Sequence, residues 1–214
     1  MTIDLVIFDC DGVLVDSEGI ANAELCKALC EQGLDMSLEQ VIDTFVGLSM
    51  SRVVTISQER LGHALPTDFL DRLQEKTFAA FEQSLQPVKD VQAVLQSLSE
   101  MSQKTCVASS GSFEKMACTL GLTGLEGFFQ GNIFSSSQVR RGKPYPDLYI
   151  YAAEQMNADP SRCLVVEDSL PGVQGAVAAG MEVLAYSVRG QDKKLATAGG
   201  MVMADMKDVI KYLA

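Results

Sequence analysis

Two pairs of acidic residues follow short apolar runs, which is a typical position for side chains that do chemistry at the ends of buried strands. Asp9 and Asp11 come after one run, and Glu167 and Asp168 come after another. Four carboxylates gathered at one edge of a sheet would repel one another strongly or raise their own pKa values. A divalent cation relieves that repulsion, and an oxygen-only ligand set favours Mg2+ over Zn2+. The sequence therefore predicts a magnesium site.

Three further polar residues follow two other predicted strands and could bind an anion. Ser109 and Ser110 follow one strand, Lys143 follows the next, and a helix predicted from Ser112 adds backbone N–H donors. Four bare carboxylates would reject a phosphate dianion, whereas magnesium and a lysine together can hold one. These residues predict a substrate that carries a phosphoryl group.

The first acidic pair suits a division of labour in phosphate chemistry. Asp9, at the tip of its strand, can attack phosphorus as a nucleophile and form an aspartyl phosphate. Asp11, two residues further on, can protonate the leaving oxygen and later activate water. An isolated D-x-D also suits residues that cap a helix, so the spacing alone leaves both interpretations open.

The order of predicted elements indicates an α/β protein with a helical insertion. Strands and helices alternate after Pro87, which is typical of a doubly wound, Rossmann-like parallel sheet covered on both faces. The intervening segment contains helix signals and no strand signal. We predict a core of residues 1–15 and 86–214 and an all-helical cap domain of residues 16–85. The strands are predicted at 3–8, 105–108, 132–134, 163–166, 183–186 and 201–203.

Composition excludes several classes of protein. The chain has 214 residues, 17 basic and 28 acidic, and a formal net charge of −11. That charge argues against nucleic acid or an anionic membrane surface as a partner. No apolar run is long enough to span a bilayer, and the beginning of the chain does not resemble an export signal. The six cysteines include no C-x-x-C pair, so we expect reduced thiols and a cytoplasmic protein, a monomer by default.

Four motifs together resemble those of the haloacid dehalogenase-like hydrolases, and they occur in order along essentially the whole chain. The resemblance is to the helical-cap subgroup that includes β-phosphoglucomutases and bacterial 6-phosphogluconate phosphatases. The motifs are Asp9-Cys-Asp-Gly-Val-Leu-Val-Asp-Ser17, Val107-Ala-Ser-Ser110, Gly142-Lys-Pro-Tyr-Pro-Asp147 and Val166-Glu-Asp-Ser-Leu-Pro-Gly172.

The resemblance implies a role for each motif residue. Asp9 is then the nucleophile and Asp11 the general acid and base. Magnesium is expected on the Asp9 carboxylate, the Asp11 backbone carbonyl and Asp168, with Glu167 bound to it directly or through water. Ser109 and Lys143 are expected to hold the transferred phosphoryl group, and the helical cap is expected to close over the site and exclude water.

Comparison within the family favours hydrolysis of a phosphate ester. The dehalogenases of the family lack a carboxylate at the position of Asp11, so this residue points to phosphate esters. The mutases resembled by this chain have a histidine and an arginine in the cap, where Ala21 and Met50 stand here. Arg52 could replace the arginine, but no residue replaces the histidine. We therefore predict a phosphatase of a sugar or sugar-acid phosphate, with a hexose-phosphate mutase as the alternative.

Residues outside the motifs are candidates for substrate contacts. Gly47, Ser49 and Arg52 lie in or beside a loop between predicted cap helices. Arg140 and Arg141 precede the motif lysine, and either could pair with a substrate carboxylate such as that of 6-phosphogluconate. A protein of another class, which binds or regulates without turnover, would keep the same fold.

Overall fold

The computed structural model describes residues 2–187, 190 and 192–213, which form two compact units. One unit consists of the chain up to Asp16 together with the chain from Gln86 onward, and the other is Ser17–Leu85. No helix in these described ranges has the length and apolar character needed to cross a membrane.

The first unit is built on a parallel sheet, to which the described residues contribute six strands in the order β3-β2-β1-β4-β5-β6. The chain therefore moves outward on one side of β1 and returns to place β4 on its other side. This reversal creates a switch point between β1 and β4, where ligands of open α/β sheets usually bind. The strands are β1 (Leu5–Phe8), β2 (Lys104–Ser109), β3 (Ile133–Ser135), β4 (Cys163–Glu167), β5 (Glu182–Tyr186) and β6 (Met201–Met203).

The central strands are apolar and buried because helices cover both faces of the sheet. Every residue of β1 and β4 is buried, which explains why both strands are unbroken apolar runs apart from the final Glu167. The helices of this unit are α5 (Val91–Glu100), α6 (Phe113–Leu122), α7 (Asp147–Gln155), α8 (Leu170–Ala178), α9 (Asp192–Thr197) and α10 (Asp208–Leu213).

The register of the sheet brings the ends of three strands to within two residues of the same level. Phe8 of β1 lies opposite Val107 of β2 and Val166 of β4. The Asp9 N–H extends this alignment by donating to the Val166 carbonyl oxygen at 3.0 Å. The residues that follow these strands therefore lie at one edge.

The second unit contains four helices packed around an apolar core. Ser37 and Gln40 form a capping box at the start of α2, and Gly62 ends α3 in a left-handed conformation with a φ of 76°. The helices are α1 (Glu18–Glu31), α2 (Leu38–Phe45), α3 (Met50–Leu61) and α4 (Phe69–Ser84).

The predicted fold class, a doubly wound parallel sheet with an inserted helical region, is confirmed. The six predicted strands are present, with ends shifted by at most two residues. Helix α9 was not predicted, because its six residues are too few to show an apolar helical period.

Candidate active site

Asp9 and Lys143 lie together at the edge of the sheet where β1, β2 and β4 end. The Lys143 Nζ lies 2.5 Å from Asp9 Oδ1, and both side chains are less than a tenth exposed. Burial raises the pKa of Asp9 from 3.8 to about 7, an effect that the charges of Glu167 and Asp11 increase and that Lys143 opposes. The pair joins the end of β1 to the loop before α7, 134 residues apart in the chain.

Glu167 holds Lys143 from the other side. Its Oε1 lies 2.8 Å from Lys143 Nζ and accepts from Ser169 Oγ at 3.2 Å, while its Oε2 accepts from the Ser169 N–H at 2.5 Å. Burial acts to lower the pKa of Lys143, but Asp9 and Glu167 outweigh it and raise this pKa well above its ordinary value. The lysine is therefore charged. Because both oxygens of Glu167 are bonded to protein donors, the geometry favours a role in holding Lys143 over direct contact with a metal.

Tyr149 is a buried residue of this edge that sequence reasoning missed. Its hydroxyl donates to Glu167 Oε1 at 3.4 Å, and Lys143 Nζ lies 5.2 Å from the centroid of its ring. The signal in the sequence was an aromatic residue six positions after Lys143, on the buried face of α7.

Asp168 lies beside this cluster and packs closely against the loop after β1. Burial, followed by the charges of Glu167 and Asp9, raises the pKa of Asp168 well above its ordinary value. A Cβ at Gly12 would overlap the Asp168 carboxylate, and Gly12 also has a φ of 80°, so the loop depends on a glycine here.

The donor set fits a small divalent cation. Desolvated, mutually repelling carboxylates at Asp9 and Asp168 are hard oxygen ligands, and the Asp11 carbonyl belongs to the same loop. Within the described part of the chain, no three His, Cys, Asp or Glu side chains are arranged around a common metal position. The expected set uses the carboxylates of Asp9 and Asp168 and the Asp11 backbone carbonyl, with Glu167 bound directly or through water, and it stays a prediction.

Ser109 is held where its hydroxyl can act as a donor. It is buried at the end of β2, and its Oγ accepts from the Gly111 N–H at 3.1 Å, which leaves the hydroxyl hydrogen to donate to an anion. Ser135 Oγ donates in turn to the Gly111 carbonyl oxygen at 2.7 Å. Ser135 was missed because nothing local distinguishes it from other strand-end serines. Ser110 is exposed beside this loop.

Asp11 is paired with a residue that sequence reasoning did not consider. Lys115 Nζ, from the first turn of α6, lies 2.8 Å from each carboxylate oxygen of Asp11. The lysine is 104 positions away in the chain, so only the fold reveals this pair.

Arg141 is occupied by a neighbouring carboxylate. Its Nε and Nη2 donate to the two carboxylate oxygens of Asp147 at 3.1 and 2.9 Å, and its guanidinium lies 4.4 Å from the centroid of the Tyr145 ring. Binding of a substrate by Arg141 therefore has to compete with Asp147.

The three candidate residues of the helical unit have local roles in the structure. Gly47 has a φ of 85°, which favours glycine at this turn. Ser49 caps α3 by accepting from the Arg52 N–H at 3.3 Å, and the Arg52 side chain is exposed. Contact of Gly47, Ser49 and Arg52 with substrate stays a prediction.

Gly172 packs against Glu167, so a methyl group at this position should displace the Glu167 side chain. Its Cβ would overlap the Glu167 carboxylate, so we expect Gly172→Ala to lower the free energy of unfolding by about 1–3 kcal/mol. Gly121, which is also helical, has open space around it, and Gly121→Ala should raise this free energy by about 0.4–1 kcal/mol. Urea unfolding measures both, and changes of the same sign would contradict the close packing.

The raised pKa of Asp9 predicts a pH-dependent stability difference. Because folding raises this pKa from 3.8 to about 7, the folded state binds the Asp9 proton more tightly than the unfolded state does. The stability gained in this way is fully present below pH 3.8 and is lost as the pH rises to about 7. An Asp9→Asn variant stays neutral at every pH. Without divalent metal, its melting temperature should exceed that of the wild type by a margin that grows from about pH 4 to pH 7. Thermal melts in a chelator measure it, and a constant margin would refute the assignment.

A buried aspartate at the switch point of a parallel sheet, with a buried lysine and a second acidic pair, is the arrangement expected of a hydrolase that uses a carboxylate. Comparison agrees: the chain belongs to the haloacid dehalogenase-like hydrolases, whose family model matches residues 3–180.

Two phosphatases and a protein described as a putative mutase are among the proteins similar to this chain. The 6-phosphogluconate phosphatase of Escherichia coli is 30% identical over 194 residues, which cover 90% of this chain and 86% of that protein. A phosphorylated carbohydrates phosphatase of Thermotoga maritima is 27% identical over 213 residues and 98% of each chain. The crystal structure of a protein described as a putative β-phosphoglucomutase, also from Thermotoga maritima, superposes with a TM-score of 0.85 at 26% identity, over 99% of this chain and all of that one.

Proposed function

We propose that the protein is a Mg2+-dependent phosphatase of small phosphorylated carbohydrates that works through a phosphorylated Asp9. The observation that carries this proposal is the buried contact between Asp9 and Lys143, because it joins a strand-end nucleophile to a cation that can hold the transferred group. The phosphatases among the relatives support the same class of reaction.

The residues of the edge account for both halves of the reaction. An Asp9 oxygen attacks phosphorus, the ester P–O bond breaks, and Asp11 gives its proton to the departing oxygen. Lys143 and Ser109 hold the phosphoryl oxygens during this transfer. Water then attacks phosphorus, Asp11 takes a proton from it, and inorganic phosphate leaves as the Asp9 carboxylate re-forms. Magnesium, held by Asp9, Asp168 and the Asp11 carbonyl, would neutralise negative charge at the site.

A panel of phosphate esters tests the function directly. We expect Mg2+-dependent release of inorganic phosphate from sugar and sugar-acid phosphates, with 6-phosphogluconate in the panel because of the Escherichia coli relative. A chelator should abolish release and added Mg2+ should restore it. If neither the panel nor p-nitrophenyl phosphate is hydrolysed, the protein is a non-catalytic member of the fold.

A hexose-phosphate mutase is the second candidate, favoured by the structural likeness to the putative mutase. A mutase must protect its aspartyl phosphate from water, and Ala21 and Met50 supply no equivalent of the cap histidine and arginine. With β-glucose 1-phosphate as substrate, we expect stoichiometric inorganic phosphate. Accumulation of glucose 6-phosphate would establish the mutase instead.

Asp11→Asn should slow the reaction to an extent that depends on whether the leaving group needs a proton. We expect hydrolysis of an alkyl phosphate to slow by about 10²–10⁴-fold, because the departing alkoxide needs a proton. Formation of the aspartyl phosphate from p-nitrophenyl phosphate should slow far less, since p-nitrophenolate leaves without one. Single-turnover kinetics on both esters measure the ratio. Equal slowing would remove Asp11 from its role as acid.

We also propose a cytoplasmic monomer. All six cysteines are free thiols, three of them buried, which is consistent with a reducing compartment. Cell fractionation and gel filtration test the two parts separately.

A further inference from the structure

Lys115 is a partly exposed cation beside the expected phosphoryl site. Its side chain is 29% exposed and that of its partner Asp11 is 23% exposed, whereas the Lys143 side chain is only 4% exposed. Lys143 is also committed to Asp9 and Glu167. An ammonium has three N–H donors, of which Asp11 takes at most two, so Lys115 can hold a second anion without releasing Asp11.

The backbone of Gly111 lies close to Ser109, Asp11 and Lys115. A Cβ at Gly111 would lie 3.5 Å from Ser109 Oγ, 3.7 Å from Asp11 Oδ2 and 3.8 Å from Lys115 Cδ. One small, bare region of backbone is therefore bordered by the expected phosphoryl donor, the expected acid and the lysine. When the phosphoryl group lies beside Ser109 and the ester oxygen lies at Asp11, the adjoining part of the leaving group lies next to Lys115.

We propose that Lys115 binds a carboxylate in the leaving group and so makes the enzyme selective for phosphate esters of hydroxy acids over those of neutral sugars and alditols. This inference rests on the proposed phosphatase function. With ordinary hydrogen bonds at both ends, the ester oxygen at Asp11 and a carboxylate at Lys115 are at most about 8 Å apart. A six-carbon sugar acid phosphorylated at its far end fits this span when extended, and shorter hydroxy acids fit within it.

Charge and competition favour Lys115 over Arg141 for this role. The chain carries a net charge of −11, so a substrate with a carboxylate as well as a phosphate needs a local cation. Both carboxylate oxygens of Asp147 already bind the Arg141 guanidinium, which must give up that bidentate pair to bind substrate. Lys115 needs no such exchange.

Two substrates that differ at one carbon test the proposal. 6-Phosphogluconate carries a carboxylate where glucitol 6-phosphate carries a neutral CH2OH group. In Lys115→Gln, we expect kcat/KM for the acid to fall about 10- to 100-fold, mainly through KM, and kcat/KM for the alditol to change less than about threefold. Lys115→Arg should restore most of the loss. Lys211→Gln, which removes an exposed lysine paired with Asp208, is the control and should leave both substrates unchanged.

Equal losses for both substrates through kcat would show that Lys115 only positions Asp11, and would overturn the proposal. A selective loss in Arg141→Gln in place of Lys115→Gln would also overturn it. Calorimetric binding of 6-phosphogluconate to Asp9→Asn, with and without Lys115→Gln, separates this inference from the proposed function. If no ester is hydrolysed, the phosphatase proposal fails. In calorimetry, equal affinities of the two variants for 6-phosphogluconate reject the role of Lys115, and weaker binding by the variant that also carries Lys115→Gln supports it.

Discussion

Asp9→Asn should abolish turnover, with a loss on the order of 10⁵-fold or more in kcat, because the amide cannot form an acyl phosphate. Rapid quenching of the wild type with substrate should trap a phosphoryl group on the peptide that contains Asp9. The variant should show no such mass gain. It should still fold, since the substitution replaces a buried carboxyl group by a neutral group of the same shape.

The matched control for this variant lies just before the same strand, which Asp9 follows. Asp4 precedes β1 at the opposite end of the sheet, where it is partly exposed and pairs with Arg162 at 2.7 Å. Asp4→Asn should change kcat by less than about twofold, because a partly exposed ion pair contributes little. Substantial turnover in Asp9→Asn, or phosphoryl transfer to another residue, would refute the assignment of the nucleophile.

Lys143→Met should damage both catalysis and stability. The ammonium is the shared partner of Asp9 and Glu167, and all three side chains are less than a tenth exposed. Without it, two buried carboxylates face each other, so we expect the free energy of unfolding to fall by about 3–5 kcal/mol. We expect kcat/KM to fall about 10³-fold, because a preorganised charge on the phosphoryl group is lost.

A second substitution separates these two effects. Glu167→Gln added to Lys143→Met removes one of the facing charges, so it should recover part of the stability and none of the activity. Lys104→Met, at the beginning of β2, removes an exposed lysine and should change stability by less than about 0.5 kcal/mol. Lys143→Met with wild-type stability would show that the carboxylates are not held by the lysine.

The fold class could be predicted because its determinants are local. β1 and β4 are short apolar runs, since a strand covered on both faces has no polar side to display. Helix α2 begins at a capping box that uses only Ser37 and Gln40. Helix α9 escaped prediction because six residues carry too little periodic pattern.

The sequence by itself determined which residues follow strands, and therefore that Asp9, Ser109 and Asp168 belong to one edge of a parallel sheet. Strand order and register decided how closely those ends meet, through contacts such as Asp9 with Val166. Only the tertiary structure revealed that Lys115 pairs with Asp11, that Glu167 is saturated by Lys143 and Ser169, and that Arg141 is held by Asp147. The reason is physical: the ends of strands follow from a local pattern of apolar residues, whereas the partner of a charged group is set by distance in space, and Lys115 is 104 positions from Asp11 in the chain.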